Sequence, residues 1–383
     1  MLGKLRRLAL LAEGRFTPLD AKTAVGVLRY RPEEVVAVLD STRAGRTAAA
    51  CVGVGGEIPV VADLEHAARL GADALLVGVA PQGGELPPAW RARVRGALER
   101  GWDVLSGLHA FLADDPELAA LARARNARIL DVRRPPARRP IAARRAAALE
   151  ATVVLTVGSD CNVGKMTAAL ELVRALRAGG TPAAFVATGQ TGVFVADGGV
   201  AVDAVPADFV AGETETLVLE AAHPGAGEAA PEVIVIEGQG SLLHPAYSGV
   251  TLGLLHGGCP AAMILCHQAG RDAIRPGAGP RVPIPPLAEL VTIYQTAAAW
   301  LHPARVVGIA LHTGTLDEPR ARAACEAANR ATGLPATDPV RFGAAALAEV
   351  VRALRPGASP PGPAVAATRS VARGGRRSQA PGS

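Results

Sequence analysis

The sequence predicts an α/β protein of two doubly wound domains, and two observations carry that prediction. Short apolar strands alternate with helical patterns along residues 7–131, and the alternation resumes near residue 151. At that second start a β-branched run leads into a glycine-rich loop, a Gly-Lys pair and a helix. Such an order belongs to parallel sheets that gather ligands at their carboxyl edge. Of 383 residues, 49% are hydrophobic and 20% charged, which suits a chain with a sizeable core.

In the first domain, placed at residues 1–132, the strand candidates are Leu8–Leu11, Val35–Leu39, Ala74–Val79, Val104–Ser106 and Arg128–Asp131. Helical patterns lie between them near Lys22–Leu28, Leu64–Leu70, Ala89–Arg100 and Glu117–Asn126. Strands separated by helices imply parallel pairing, because a parallel return needs a long crossover. Gly53-Val-Gly55-Gly56 lacks the third glycine of a dinucleotide fingerprint, so it reads as a loop before a short strand at Ile58–Val61. Residues 133–150 form a linker, with six arginines and three prolines between Arg133 and Arg145. With no face to bury, it is expected to be exposed. The second domain is placed at 151–355. A tail at 356–383, made of Pro, Gly, Ala, Ser and Arg without periodicity, is expected to be disordered.

Several function classes fall away on composition. The net charge is +5, but residues 356–383 hold Arg369, Arg373, Arg376 and Arg377 and no acid, leaving +1 for the rest. Aromatics are 3% of the chain, too few to interleave a basic surface, so a nucleic-acid partner is not expected. The longest apolar run, Ala261–Cys266, is far short of a bilayer span, and Leu8–Ala12 is too short for a signal peptide. Five scattered cysteines without a C-x-x-C fit a reducing compartment, so a cytoplasmic protein is expected. The forty basic residues include only three lysines, Lys4, Lys22 and Lys165.

Ala151-Thr-Val-Val-Leu-Thr-Val157 reads as a buried strand, Gly158-Ser-Asp-Cys-Asn-Val-Gly164-Lys165-Met166-Thr167 as a phosphate-binding loop, and Ala168–Ala178 as the helix it opens. Glycines let the loop curl so that its N–H groups point inward at phosphate oxygens. The helix N-terminus and Lys165 add positive charge. In a chain that otherwise uses arginine, one lysine here suits the need for a compact ammonium, expected to face solvent in the empty site. Two departures stand out. Five residues rather than four separate the glycines, and Met166 replaces the usual hydroxyl, leaving Thr167 one position late as a magnesium ligand. The five-residue version, with Asp160 at its third position, resembles the loop of dethiobiotin synthetase.

Other segments reach the same edge. Glu232-Val-Ile-Val-Ile-Glu237-Gly-Gln-Gly-Ser241 is a buried strand ending in a carboxylate, where such folds place a metal-bound or water-bound acid. Ala261–Cys266 is a strand followed by His267-Gln-Ala-Gly-Arg271, so His267, Arg271 and Arg275 are expected to face one crevice, the two arginines on one helix face. Ala187-Thr188-Gly189-Gln190-Thr191-Gly192, after a strand at Ala183–Val186, adds a further loop there.

Together, Lys22-Thr-Ala-Val-Gly, Val38-Leu-Asp-Ser-Thr-Arg-Ala-Gly45, Gly158–Thr167, Glu237–Ser241, Cys266–Arg271 and Leu334-Pro-Ala-Thr-Asp-Pro-Val-Arg-Phe-Gly343 resemble one family, in order and over roughly residues 8–350. It is the two-domain D-glutamate N-acetyltransferase-like family. The resemblance implies a Rossmann-like N-terminal domain and a P-loop NTPase-like C-terminal domain. It also implies acetyl transfer from acetyl-CoA to the amine of an acidic D-amino acid. Relatives tend to carry Asn before Thr313, where this chain has His312.

An N-acyltransferase would use Gly158, Asp160, Asn162, Gly164, Lys165, Met166 and Thr167 around the cofactor. Lys165 would also serve in catalysis, and Glu237 or His267 would take the amine proton. Gln190, Ser241 and Arg271 or Arg275 would hold the small-molecule substrate. The alternative is an ATP-dependent ligase or kinase with Mg-ATP held by Asp160 and Lys165, and Thr167 and Glu237 on the metal. A third, non-catalytic alternative is a nucleotide-regulated binding protein. Homo-oligomerisation is left open by the sequence.

Overall fold

The computed structural model describes residues 6–79, 86–225, 227, 229–274 and 279–354. The tail at 356–383 and Arg275 therefore lie outside the described residues.

The first sheet is six-stranded and parallel. Its spatial order is Val60–Val61, Val35–Leu39, Leu8–Leu11, Ala74–Val77, Asp103–Ser106, Ile129–Asp131. Strand order reverses across Leu8–Leu11 and Ala74–Val77, the doubly wound pattern that opens a crevice at the carboxyl ends. Helices Lys22–Tyr30, Leu64–Arg69, Pro88–Glu99 and Pro116–Ala124 lie close to their expected positions. The strand expected at Ile58–Val61 shortens to Val60–Val61, because Pro59 lacks an N–H and instead forms an isolated antiparallel bridge with Thr47. Gly53 sits at φ 76° and closes helix Ala48–Val52 by donating to Ala49 O, so this glycine run is a cap and loop.

The second sheet is also parallel, in the order Ala336–Thr337, Arg305–His312, Ala262–Gln268, Thr152–Gly158, Val233–Ile236, Ala183–Val186. Thr152–Gly158 is central and buried along its whole length. Helix Lys165–Ala178 follows it, one turn longer at its start than the sequence pattern indicated.

The domains meet through helices. Lys22–Tyr30 of the first lies on Gln190–Ala196 of the second, with the Thr23 and Thr191 hydroxyls 3.0 Å apart. The Tyr30 hydroxyl donates to Glu171 at 3.0 Å, and Arg31 donates to Phe194 O at 3.2 Å. Ala187, Val193 and Phe194 join the hydrophobic core of the first domain.

The linker is exposed over most of residues 134–145, as expected, but its arginines are not free. Arg133 is buried, donates to Gly107 O at 2.7 Å and pairs with Asp203. Arg138 pairs with Glu213 and Glu220, while Arg145 holds Glu215 through its side chain and its backbone N–H. Glu213 and Glu215 are buried on helix Val210–Ala222, so the arginines serve as counter-ions for acids the core would otherwise exclude. Among the described residues no helix is long and apolar enough to cross a membrane.

Candidate active site

Five segments converge at the carboxyl edge of the second sheet. They follow the strands Thr152–Gly158, Val233–Ile236, Ala183–Val186, Ala262–Gln268 and Arg305–His312. The loop after the central strand turns through left-handed backbone at Asn162, φ 59°, and Gly164, φ 96°, and feeds the N-terminus of helix Lys165–Ala178. Gly158 is tied down by the Tyr294 hydroxyl, which donates to its carbonyl at 2.7 Å. A side chain at Gly158 would press on Val163 and on the Lys165 stem, which passes directly over it. Asn162 is exposed at the loop tip.

Lys165 is not solvent-facing as expected. It is 7% exposed, its Nζ donates to Asp160 O at 2.8 Å, and burial lowers its pKa. The loop has folded over the ammonium and offers one of its own carbonyls in place of a ligand oxygen. Met166 extends toward Gly26 of the first domain. Thr167 stands beside the Tyr30 hydroxyl, on the helix face that also carries Glu171. The late hydroxyl therefore lies at the domain interface, beside Tyr30.

Asp160 is buried, and its carboxylate accepts from Cys161 N at 2.6 Å and from Arg271 at 3.0 Å. Arg271 also donates to Cys161 O at 2.8 Å, while its Nε is shut from solvent without a partner. Asp160, Cys161 and His244 bring their ligating atoms within 4.8 Å of one another. Arg271 already pairs with the Asp160 carboxylate of this set, and Lys165 donates to the Asp160 carbonyl. Residues 273–274 form a strand paired with Val282–Pro283, so Arg271 does not lie on the helix face expected for it. Its partner in that expectation, Arg275, is outside the described residues.

Glu237 is 4% exposed and its Oε2 accepts from Thr188 N at 3.0 Å and Gly189 N at 3.1 Å. Burial pushes its pKa up to about 7, against the pull of those two amides, Gln239 and Lys165. A side chain at Gly192 would strike this carboxylate, so the glycine lets helix Gln190–Ala196 seat on it. His267 is hydrogen-bonded through Nδ1 to Ser159 Oγ at 2.8 Å, and burial pushes its pKa down to about 4, with Arg271 adding to the effect. It is a neutral imidazole at physiological pH.

Two residues expected at the substrate, Ser241 and Gln190, have neighbours within the fold. Ser241 is fully buried and its Oγ accepts from Leu243 N at 3.3 Å, closing its own turn. The Gln190 side chain lies against Gly107 of the first domain. His312 approaches the loop near Gly164, and Thr313 is drawn instead to buried Asp338, at 2.6 Å. Sequence reasoning missed Ser159, Cys161, His244 and Tyr294 around the loop. It also missed Lys22, whose charge neighbours include Arg271 and Cys161. The rarity of lysine was the available signal for it.

A glycine-Lys loop at the centre of one parallel sheet, seated against a second sheet of doubly wound order, defines a two-domain P-loop protein with a Rossmann-like partner domain. Residues 140–348 match the family described as Domain of unknown function DUF1611, P-loop domain, and residues 41–135 match its Rossmann-like N-terminal domain. The chain belongs to this DUF1611 family, in agreement with the sequence resemblance. It is 38% identical over 338 residues to a D-glutamate N-acetyltransferase of Tritonibacter scottomollicae, covering 88% of this chain and 95% of the relative. A D-glutamate N-acetyltransferase of a Pseudoalteromonas species is 36% identical over 279 residues, covering 73% and 81%. The crystal structure of a DUF1611 family protein from Anabaena variabilis superposes with a TM-score of 0.85 at 40% identity, covering 91% of this chain and all of that one.

Proposed function

We propose that this protein is an N-acetyltransferase that moves acetyl from acetyl-CoA to the amine of an acidic D-amino acid, D-glutamate first among them. The observation that supports it best is a phosphate-binding loop without a hydroxyl placed for magnesium: Met166 and Thr167 both turn to the first domain. Coenzyme A brings a pyrophosphate and a 3′-phosphate without requiring a metal. The left-handed turn at Gly164, the helix N-terminus, Lys165 and the Arg271 guanidinium form a donor set fitted to anions. The names of the two relatives favour the same reaction.

Acetyl-CoA supplies a thioester whose C–S bond is exchanged for the C–N bond of the amide. The amine must be unprotonated, and its proton must leave. Glu237, with its pKa near neutrality, can accept that proton, and neutral His267 is the alternative. Arg271, fixed by Asp160 and Cys161 O, is set to pair with a substrate carboxylate. The five cysteines of the protein are free, which supports a reducing compartment. A thiol-release assay with acetyl-CoA and D-glutamate, run beside a phosphate-release assay with Mg-ATP, tests the proposal. Acceptor-dependent phosphate release without thiol release would replace it with the ligase.

A further inference from the structure

Lys22 opens the helix that follows the first strand of the first sheet, beside the point where that sheet's strand order reverses. The next residue, Thr23, touches Thr191, and one turn on, Gly26 faces Thr191 and Met166. These contacts seat the start of the helix on the second domain at the rim of the phosphate loop. The side chain is exposed and makes no ion pair or hydrogen bond among the described residues. Although the residue keeps an exposed surface, partial desolvation of its ammonium and the charge of Arg271 lower its pKa, and Asp20, the one acid that acts on it, acts most weakly. Asp20 is itself hydrogen-bonded to Thr17. Two domains thus bring two cations together outside the loop with no acid assigned to Lys22. Lys165 lies beneath the loop, under Asp160 O, and serves a different side of it.

Such an arrangement is unfavourable unless an anion joins it. An acidic amino-acid acceptor carries two carboxylates, and Arg271 has only part of one guanidinium left. We propose that Lys22 is a specificity-determining residue that receives the side-chain carboxylate of the acceptor, so that the acceptor binds across the domain interface between Lys22 and Arg271. This inference rests on the acetyl-transfer reading of the site.

The test uses the full chain with Lys22→Met and Lys22→Arg. Losing one charge-assisted contact is expected to cut the kcat/KM ratio of D-glutamate to D-glutamine about tenfold or more in Lys22→Met. The KM for acetyl-CoA should stay unchanged, and Lys22→Arg should restore most of the ratio. Equilibrium dialysis of D-glutamate against wild type and Lys22→Met, without acetyl-CoA, gives a second readout. There the variant should bind about tenfold more weakly. An unchanged ratio, a rise confined to the acetyl-CoA KM, or equal dialysis curves would overturn the assignment. A wild type that binds D-glutamate but releases no thiol would instead remove the acetyl-transfer reading, with dialysis still deciding the role of Lys22. A wild type that does not bind D-glutamate overturns both.

Discussion

Replacing Glu237 by Gln should make the protein more stable in alkaline buffer while disabling it. In the folded state burial raises the carboxyl pKa from 4.5 to about 7. The fold therefore prefers the protonated acid. Stabilisation from this proton is complete below the unfolded value and is lost as pH rises through about 7. Above that, the fold carries a buried charge at a cost of about 3 kcal/mol, from the difference between the two values at roughly 1.4 kcal/mol per pH unit. Gln is neutral at every pH, and its carbonyl oxygen can still accept from Thr188 N and Gly189 N. Melting curves at pH 4.5 and 8.5 should show Glu237→Gln close to wild type at the lower pH and above it at the higher. If Glu237 takes the amine proton, thiol release should fall by about 10²–10⁴-fold. Acetyl-CoA binding should be kept, and the acid limb of the wild-type rate profile near pH 7 should vanish. A stability difference that does not change with pH would refute the reasoning about burial.

Lys165→Met, which preserves the apolar stem over Gly158, should weaken acetyl-CoA binding by about 1.5–3 kcal/mol in a calorimetric titration. Its melting temperature should also fall, because Asp160 O loses its buried donor. Arg145→Ala strips the counter-ion from fully buried Glu215 and should lower global stability by about 3 kcal/mol, read by denaturant unfolding. The His267 ring should remain neutral down to about pH 4, so its imidazole resonances should not shift between pH 8 and 5.5.

The strand, glycine loop and helix of the second domain are legible because each is local. Period and turn chemistry act within a dozen residues, and the glycine-Lys pair marks where a chain can wrap an anion. Glu237 is legible for a similar reason, as an acid at the end of an apolar strand. What was not legible depends on which surfaces meet. Lys165 looked solvent-facing because nothing nearby in sequence shows that Asp160 O folds back over it. Ser241 was read with the segment that follows Glu237, yet it is fully buried and its side chain hydrogen-bonds to Tyr294, far along the chain. Thr167 is claimed by Tyr30 from the other domain, a contact no local pattern encodes. The linker is exposed as its composition indicated, but its pairing was not legible, because the buried acids of Val210–Ala222 lie some 70 residues away in sequence.

Phe194, Val193 and Ala187 lie with the core of the first domain although their chain belongs to the second. The amino-terminal half on its own would present an apolar wound where Phe194 should sit, and would be expected to aggregate rather than fold. The two halves are thus partners in one folding event, and supplying them as separate polypeptides would require them to find each other before either is finished. The same plug resists a clamshell opening of the protein, since prising the halves apart would pull a phenyl ring into water.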